Sequence, residues 1–426
     1  MKILIKSGHV IDPLNNLDGV MDIVIENGKI AEINAESDVK ADAEIDASGL
    51  HVFPGLVDAH CHLREPGQEY KEDIKSGTKA AAKGGFTAVA CMPNTTPVAD
   101  NDAVVKFIVD KAAECGSTKV YPIGSITKGS NGSQLAEMGF MKEAGAVAVS
   151  DDGRPVENAD VMRKALEYSK DFGLPVISHC EEMSLAAKGS INEGFLSTSM
   201  GLKGIPSIAE EIQVSRDALL AEYTGIPVHI AHISTAGSAR IIRDAKARGV
   251  KITCETCPHY FSLTEAECEG FNSNAKVNPP LRGESDRQAI IDAIKDGTID
   301  MIATDHAPHH KDEKNVEFQY AANGISGFET AFPAAYTYLV KPGRISLEKL
   351  VELMSINPAS FLKRETGGFK QGALADITIA DLKGEFKVDP EKFVSKGKNT
   401  PYTGKKLTGI VMYTLVNGRI TYNGRQ

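Results

Sequence analysis

The chain has 426 residues, 42% of them hydrophobic and 24% charged, with a formal net charge of -10 at pH 7. That length accommodates one large domain and a smaller one, and the acidic balance argues against a nucleic-acid partner, which requires a concentrated basic surface. No run approaches the ~18 consecutive apolar residues of a membrane span, and Met1-Lys-Ile-Leu-Ile-Lys-Ser-Gly lacks the hydrophobic segment of a signal peptide; the expectation is a cytoplasmic protein with no membrane partner.

The chain opens with short strands at Lys2–Lys6, Met21–Glu26, Lys29–Ile33 and Ala43–Asp46, and Asn27-Gly28 is a two-residue hairpin signal between the second and third. Apolar runs then alternate with helical patterns. The runs are Val52–Ala59, Thr87–Met92, Lys119–Ile123, Ala146–Ser150, Pro175–Ser178, Val228–Ile233, Lys251–Glu255 and Met301–Thr304. The helical patterns include Ile74–Lys83, Ala103–Glu114, Ala159–Phe172, Ile208–Tyr223, Ser238–Arg248 and Asp286–Asp296. Eight strands alternating with helices predict an α/β fold, a (β/α)8 TIM-type barrel, over residues 55–365. The strand texture returns at Ala375–Ala380, Gly409–Val416 and Arg419–Tyr422, with Asn417-Gly418 as a second hairpin. Residues 1–54 and 366–426 are therefore expected to form one small β-sandwich domain from both chain ends.

The apolar runs end in metal-type ligands. His60-Cys61-His62 closes the first run, and strand alternation sends both imidazoles to one face while Cys61 points away. His179, His232 and Asp305 close the fifth, sixth and eighth runs, and Ser150-Asp151-Asp152-Gly153 follows the fourth. The C-terminal ends of barrel strands are where barrel active sites collect. Four histidines and two carboxylates exceed one four-coordinate site and suit a binuclear centre with a bridging carboxylate and a bridging hydroxide, which is hydrolytic machinery.

Other groups lie at the same ends. Arg64 offers a planar fork for a carboxylate, Asn94 and Asn278 offer amides, and His309 follows Asp305. Together they describe an acidic substrate that presents amide groups. His259 is expected to be packed. The seven cysteines read as free thiols, and Cys254-Glu-Thr-Cys257 as the end of a buried strand, without a partner motif for structural zinc.

His60-Cys-His62-Leu-Arg64-Glu-Pro-Gly, Met92-Pro-Asn94-Thr, Ser150-Asp-Asp-Gly153, His179-Cys-Glu, Ala231-His232-Ile-Ser, Cys254-Glu-Thr-Cys-Pro-His259, Val277-Asn-Pro-Pro280 and Ala303-Thr-Asp305-His-Ala-Pro-His309 resemble, as an ordered set, the amidohydrolase superfamily. The likeness is greatest to its bacterial type I dihydroorotases, which reversibly cyclise N-carbamoyl-L-aspartate to L-dihydroorotate in de novo pyrimidine (UMP) biosynthesis. The resemblance implies two zinc ions per chain, with His60 and His62 on one and His179 and His232 on the other. Asp152 bridges them, with Asp151 in reserve, where related hydantoinases use a carboxylated lysine; the fourth run here holds no lysine. The bridging hydroxide is the implied nucleophile, and Asp305 both ligand and catalytic proton shuttle. Arg64, Asn94 and His309 are implied to hold the substrate carboxylate, Asn278 to lie near the ring amides, and His62 and the Asn323-Gly324 backbone to touch the substrate. The segment from His309 through Asn315 to Gly327 reads as a lid. A homodimer is implied, and association with aspartate transcarbamoylase is left open. The competing readings are a hydantoinase or allantoinase, and an inactive dihydroorotase-like scaffold for the transcarbamoylase.

Overall fold

The structure, a computed structural model, describes residues 1–34, 39–365 and 368–425. Eight parallel strands follow one another in sheet order: β1 (Leu56–Cys61), β2 (Phe86–Cys91), β3 (Lys119–Gly124), β4 (Ala148–Ser150), β5 (Val176–Ser178), β6 (Val228–Ile230), β7 (Ile252–Thr256) and β8 (Met301–Ile302). The circle closes just past the strand ends. Asp305 N–H donates to the His60 carbonyl (3.0 Å) and His62 N–H to the His306 carbonyl (2.8 Å). Below them the Asp58 carboxylate accepts from the Thr304 amide (2.9 Å) and hydroxyl (2.6 Å). Burial pushes Asp58 up to about 7 despite those bonds, so the last and first strands are joined by a group that water does not reach.

The second sheet holds eight strands drawn from both chain ends. Lys2–Asp12, Leu17–Glu26, Lys29–Ile33, Ala43–Asp46 and His51–Pro54 come from the beginning, and Ile377–Lys387, Lys406–Val416 and Arg419–Asn423 from the end. The halves meet where His51–Pro54 runs antiparallel to Ile377–Ala380, and Ile3, Ile5, Val52, Ile377, Ile379 and Leu415 share one apolar cluster. Both predicted Asn-Gly hairpins form, and they touch. A Cβ on Gly28 would lie 2.8 Å from the Asn417 carbonyl, and one on Gly418 2.7 Å from the Gly28 Cα. Both glycines also have positive φ (82° and 70°), so close approach and turn geometry exclude a side chain at either.

The predicted first run, Val52–Ala59, is two strands. It divides at Gly55, whose amide donates to the Asp376 carbonyl (2.9 Å) and whose absent Cβ leaves room for Thr87. His51–Pro54 belongs to the terminal sheet and Leu56–Cys61 to the barrel. Helices Ile74–Lys83 and Ala159–Phe172 have the predicted bounds, capped by the side chains of Asp73 and Asn158. The helix Phe328–Ala335 has no counterpart among the predicted patterns; Pro333 lies inside it and nearly all its residues are buried, so it has no polar face to read. The expected boundary at residue 366 falls on 366–367, outside the described residues. Residues 388–405 leave the terminal sheet between two of its strands and reach the barrel rim, where Asn399 bonds four barrel residues.

Candidate active site

The ends of β1, β4, β5, β6 and β8 bring His60, His62, Asp152, His179, His232 and Asp305 together. Asp152 is at the centre. Its Oδ1 lies 3.3 Å from His60 Nε2, 3.5 Å from His232 Nε2 and 3.7 Å from His179 Nδ1, and its Oδ2 lies 3.6 Å from His62 Nε2. Asp305 Oδ1 is 3.0 Å from His62 Nε2 and 3.6 Å from His60 Nε2. Asp151 points away: it accepts from the Ile126 and Thr127 amides (2.8 and 3.0 Å) and from the Ser125 hydroxyl (2.9 Å). The neighbouring aspartates are thus divided, Asp151 tying two loops together and Asp152 facing the imidazoles.

Three imidazoles turn one nitrogen inward while the other is held. His60 Nδ1 donates to Glu255 (2.6 Å), His62 Nδ1 to Asn94 Oδ1 (2.9 Å), and His179 Nε2 to Glu181 (3.3 Å). His60 Nε2, Asp152 Oδ1 and His232 Nδ1 are buried with no hydrogen-bond partner. Unpaired buried polar atoms are costly, and two of these three face one another across the centre. His60, Asp152 and His232 bring one ligand atom each within 4.8 Å of one another, as do His60, His62 and Asp305. Imidazole and carboxylate donors converging in two overlapping groups fit divalent ions of the zinc type.

The electrostatics point the same way. Burial alone would raise the Asp305 carboxyl, but the His62 hydrogen bond and the charges on His60, His62 and His232 hold it well below the usual range. Burial likewise opposes the ionised form of Asp152, and the imidazoles around it override that. Three site residues have positive φ without being glycine: Arg64 (64°), His232 (32°) and Asp305 (45°). That conformation is uncommon for such residues and clusters at functional sites.

A cavity of about 170 Å³ opens over the cluster, lined by His62, Arg64, Asn94, Asp152, His179, Asn278, Asp305, His309, Asn323 and Gly324 among others. Every expected substrate contact therefore borders the same space as the carboxylates. Arg64 Nη2 lies 3.3 Å from His309 Nε2, and its Nε donates to the Pro308 carbonyl. His309 Nε2 donates to the Asn323 carbonyl (2.8 Å); burial, with Arg64 beside it, pushes this imidazole down to about 3, so the ring is neutral. His259 is buried against Tyr260 and pushed down to about 4 by burial, which accords with a packed residue, although it and Cys257 approach Asp305. All seven cysteines are free.

Sequence reasoning missed the groups that hold the first ring of residues. Glu255 on β7 bonds both His60 and His229, and Glu181 bonds His179 and Asn278. Asn399 accepts from the His309 amide (3.0 Å) and donates to the Ala307 and Gly324 carbonyls. The expected lid, His309 to Gly327, is tied down by these bonds and by Lys314, whose ammonium donates to the carbonyls of Ala322 and Gly324.

A barrel whose strand ends gather four imidazoles and two carboxylates under a small polar cavity defines a metal-dependent hydrolase of the amidohydrolase class. Family models agree: a dihydro-orotase-like model matches residues 49–238 and an amidohydrolase-family model residues 214–422. The chain belongs to the dihydroorotase family. It is 60% identical over 417 residues to a dihydroorotase of Acetivibrio thermocellus and 57% identical over 418 residues to one of Ruminiclostridium cellulolyticum, covering 98% of each chain in both cases. Among solved structures, an L-hydantoinase (dihydropyrimidinase) from Arthrobacter aurescens superposes with a TM-score of 0.89 at 26% identity, over 99% of this chain and 96% of the other. A dihydropyrimidinase from Brevibacillus agri shares the fold at 22% identity with a TM-score of 0.87, over 100% and 96%. No helix among the described residues is long and apolar enough to cross a membrane.

Proposed function

We infer that the chain is a dihydroorotase, interconverting N-carbamoyl-L-aspartate and L-dihydroorotate, and that the residues converging on the 170 Å³ cavity are its working parts. The observation that carries this reading is the meeting of Arg64, Asn94 and His309 with Asp152 and Asp305 around one space. A guanidinium beside a neutral imidazole seats a carboxylate, and the carboxylates and imidazoles opposite handle an amide carbonyl.

His60 and His62 would hold one zinc ion and His179 and His232 a second, with Asp152 between them and Asp305 alongside. Bound there, the metals would supply Lewis acidity, lowering the pKa of water and polarising the carbonyl under attack. The chain's own residues do the rest. Arg64, with Asn94 and His309, fixes the substrate carboxylate, the Asn323-Gly324 backbone touches the substrate, and the ring carbonyl beside the methylene carbon is thereby pointed at Asp152 and Asp305. In the hydrolytic direction Asp305 takes the proton of the attacking water and returns it to the departing amide nitrogen. In the biosynthetic direction the amide nitrogen attacks the side-chain carboxyl carbon, Asp305 takes its proton, and the proton is passed to the carboxyl oxygen, which departs as hydroxide when its C–O bond breaks. Glu255 and Glu181 keep His60 and His179 in the tautomers whose free nitrogens face the centre.

A hydantoinase would not need a cation seat for a ring carboxylate, and Arg64 therefore favours dihydroorotate over hydantoin. We place the barrel at residues 55–365 and the terminal domain at 1–54 and 366–426, in a cytosolic homodimer. The test is turnover of both substrates by zinc-loaded protein before and after chelation, with hydantoin as comparison. Turnover in both directions that chelation abolishes and zinc restores is expected; hydantoin turned over as well as dihydroorotate would overturn the assignment.

A further inference from the structure

The segments 309–327 and 388–405 enclose a second cavity, of about 360 Å³, and His309 borders both it and the substrate cavity. Lys311, Lys314, Lys396 and Lys398 line it, and among the described residues no carboxylate and no arginine does. In a chain of net charge -10 such a concentration of positive charge is a local exception. The nearby acids are spent elsewhere: Glu313 is paired with Lys71 (2.9 Å), and Asp312 lies 3.3 Å from His310. Of the four lysines, Lys396 reaches Asp73. Lys314 bonds backbone carbonyls and Lys398 the Phe393 carbonyl. Exposed Lys311 has no side-chain partner among the described residues. Burial, with the Lys276 ammonium nearby, pushes Lys314 down to about 7, as expected where positive charge lacks a counter-charge.

The chemistry of the lining selects the ligand. A carboxylate is matched by a planar guanidinium fork, as at Arg64, whereas several independent ammonium charges suit the tetrahedral oxygens of a phosphoryl group. The cavity is larger than the 170 Å³ substrate cavity and falls in the range that holds a small organic ligand. Asn274 and Asn315 also line it, and their side-chain amides are unpaired among the described residues, so polar groups remain to meet an organic portion. Position gives occupancy a consequence. Asn399, on the wall of this cavity, donates to the Ala307 and Gly324 carbonyls, and those two residues line the substrate cavity. Lys311 and Lys314 belong to one segment and Lys396 and Lys398 to the other, so the ammonium groups repel across the gap. An anion between them replaces repulsion with attraction and holds the two segments together.

We propose that this cavity is a binding site for a phosphoryl group, free or carried by a small metabolite, whose occupation firms the wall of the substrate cavity. The site does not depend on the dihydroorotase reading, because binding is measured without turnover; only its effect on KM does. The test is calorimetric titration of the full chain with inorganic phosphate, ribose 5-phosphate and uridine 5′-monophosphate, with uridine as control. Zinc-loaded and metal-free protein are both titrated, since an anion held by the metals would be lost with them. Saturable binding of a phosphate compound to both forms, and none of uridine, is expected. Equal affinities assign the site to free phosphate, and tighter binding of an ester assigns it to a phosphorylated metabolite. Lys311→Ala combined with Lys398→Ala, both outside the substrate cavity, should weaken binding at least about tenfold by removing two charge-assisted bonds, while turnover without phosphate stays within about twofold. Saturating ligand should lower KM for dihydroorotate about fivefold in the parent chain and leave it unchanged in the double variant. Absence of binding, binding that disappears with zinc, or undiminished affinity in the double variant overturns the proposal. Bound phosphate that leaves KM of the parent chain unchanged overturns its effect on the substrate cavity.

Discussion

Replacing Glu255 tests whether the site depends on charges behind its ligands. The carboxylate is buried, 2.6 Å from His60 Nδ1 and 3.2 Å from His229 Nε2. Burial would raise its pKa, but the charge on His60 and the bonds from both imidazoles lower it from 4.5 to about 2. Glu255→Gln keeps an acceptor for His60 but turns a charge-assisted bond into a neutral one, which is roughly half as strong, a loss of about 1 kcal/mol. It also removes the negative charge that makes the inward nitrogen a better donor. Zinc affinity should fall about tenfold in Glu255→Gln and approach 100-fold in Glu255→Ala, the range seen for groups that orient metal ligands. Chelator-competition titration reads this directly. The pH dependence supplies a second measurement on metal-free protein. The folded pKa is depressed, so the group's stabilisation is complete above about 4.5 and is lost as pH falls toward about 2; the shift from 4.5 to about 2 sets a ceiling of roughly 3 kcal/mol. The urea-unfolding gap between the parent chain and Glu255→Gln should therefore narrow below pH 4.5. Zinc affinity within twofold of the parent chain in both variants would refute the argument.

Asp305→Asn should cut turnover by ~10²–10⁴-fold while leaving the fold intact; loss of less than tenfold, measured in steady state, would remove it as the proton carrier. Arg64→Lys keeps the charge but loses the fork, and should raise KM for dihydroorotate about 10–100-fold with little change for hydantoin; equal effects on both rings would detach Arg64 from the carboxylate. Lys314→Met removes the ammonium that pins the Ala322 and Gly324 carbonyls, and should raise KM several-fold more than it lowers kcat. Burial pushes Lys314 down from 10.5 to about 7, so the unfolded chain binds the extra proton between those values and stability should rise with pH from about 7 to 10.5. That rise should be flatter in Lys314→Met thermal melts, and an unchanged slope would show that the group does not titrate there.

The metal-type ligands were legible because strand ends in a barrel share one rim, so a histidine or aspartate closing an apolar run needs no long-range contact to be placed. The choice between Asp151 and Asp152 was not legible. Adjacent residues past β4 point opposite ways, and only the positions of Ser125, Ile126 and Thr127 show which one is spent on the loops. Glu255 was hidden differently: it lies inside a C-x-x-C string, and its importance depends on its side of β7 meeting His60, 195 positions away. Asn399 reaches His309 from a stretch whose neighbours on both sides are terminal-sheet strands, so strand texture assigned it to the wrong neighbourhood. The Ile208–Thr224 helix shows the deeper limit. Its periodicity marks a helix, but it has two apolar faces, a small one with Ala209, Val214, Ala218 and Ala221 and a large one with Ile208, Ile212, Leu219 and Tyr223. Ranking side chains by hydrophobicity would bury the large face. The fold buries the small one, because Glu210 and Asp217 reach Ser234 and Ser178 beside the site, and the large face is left exposed.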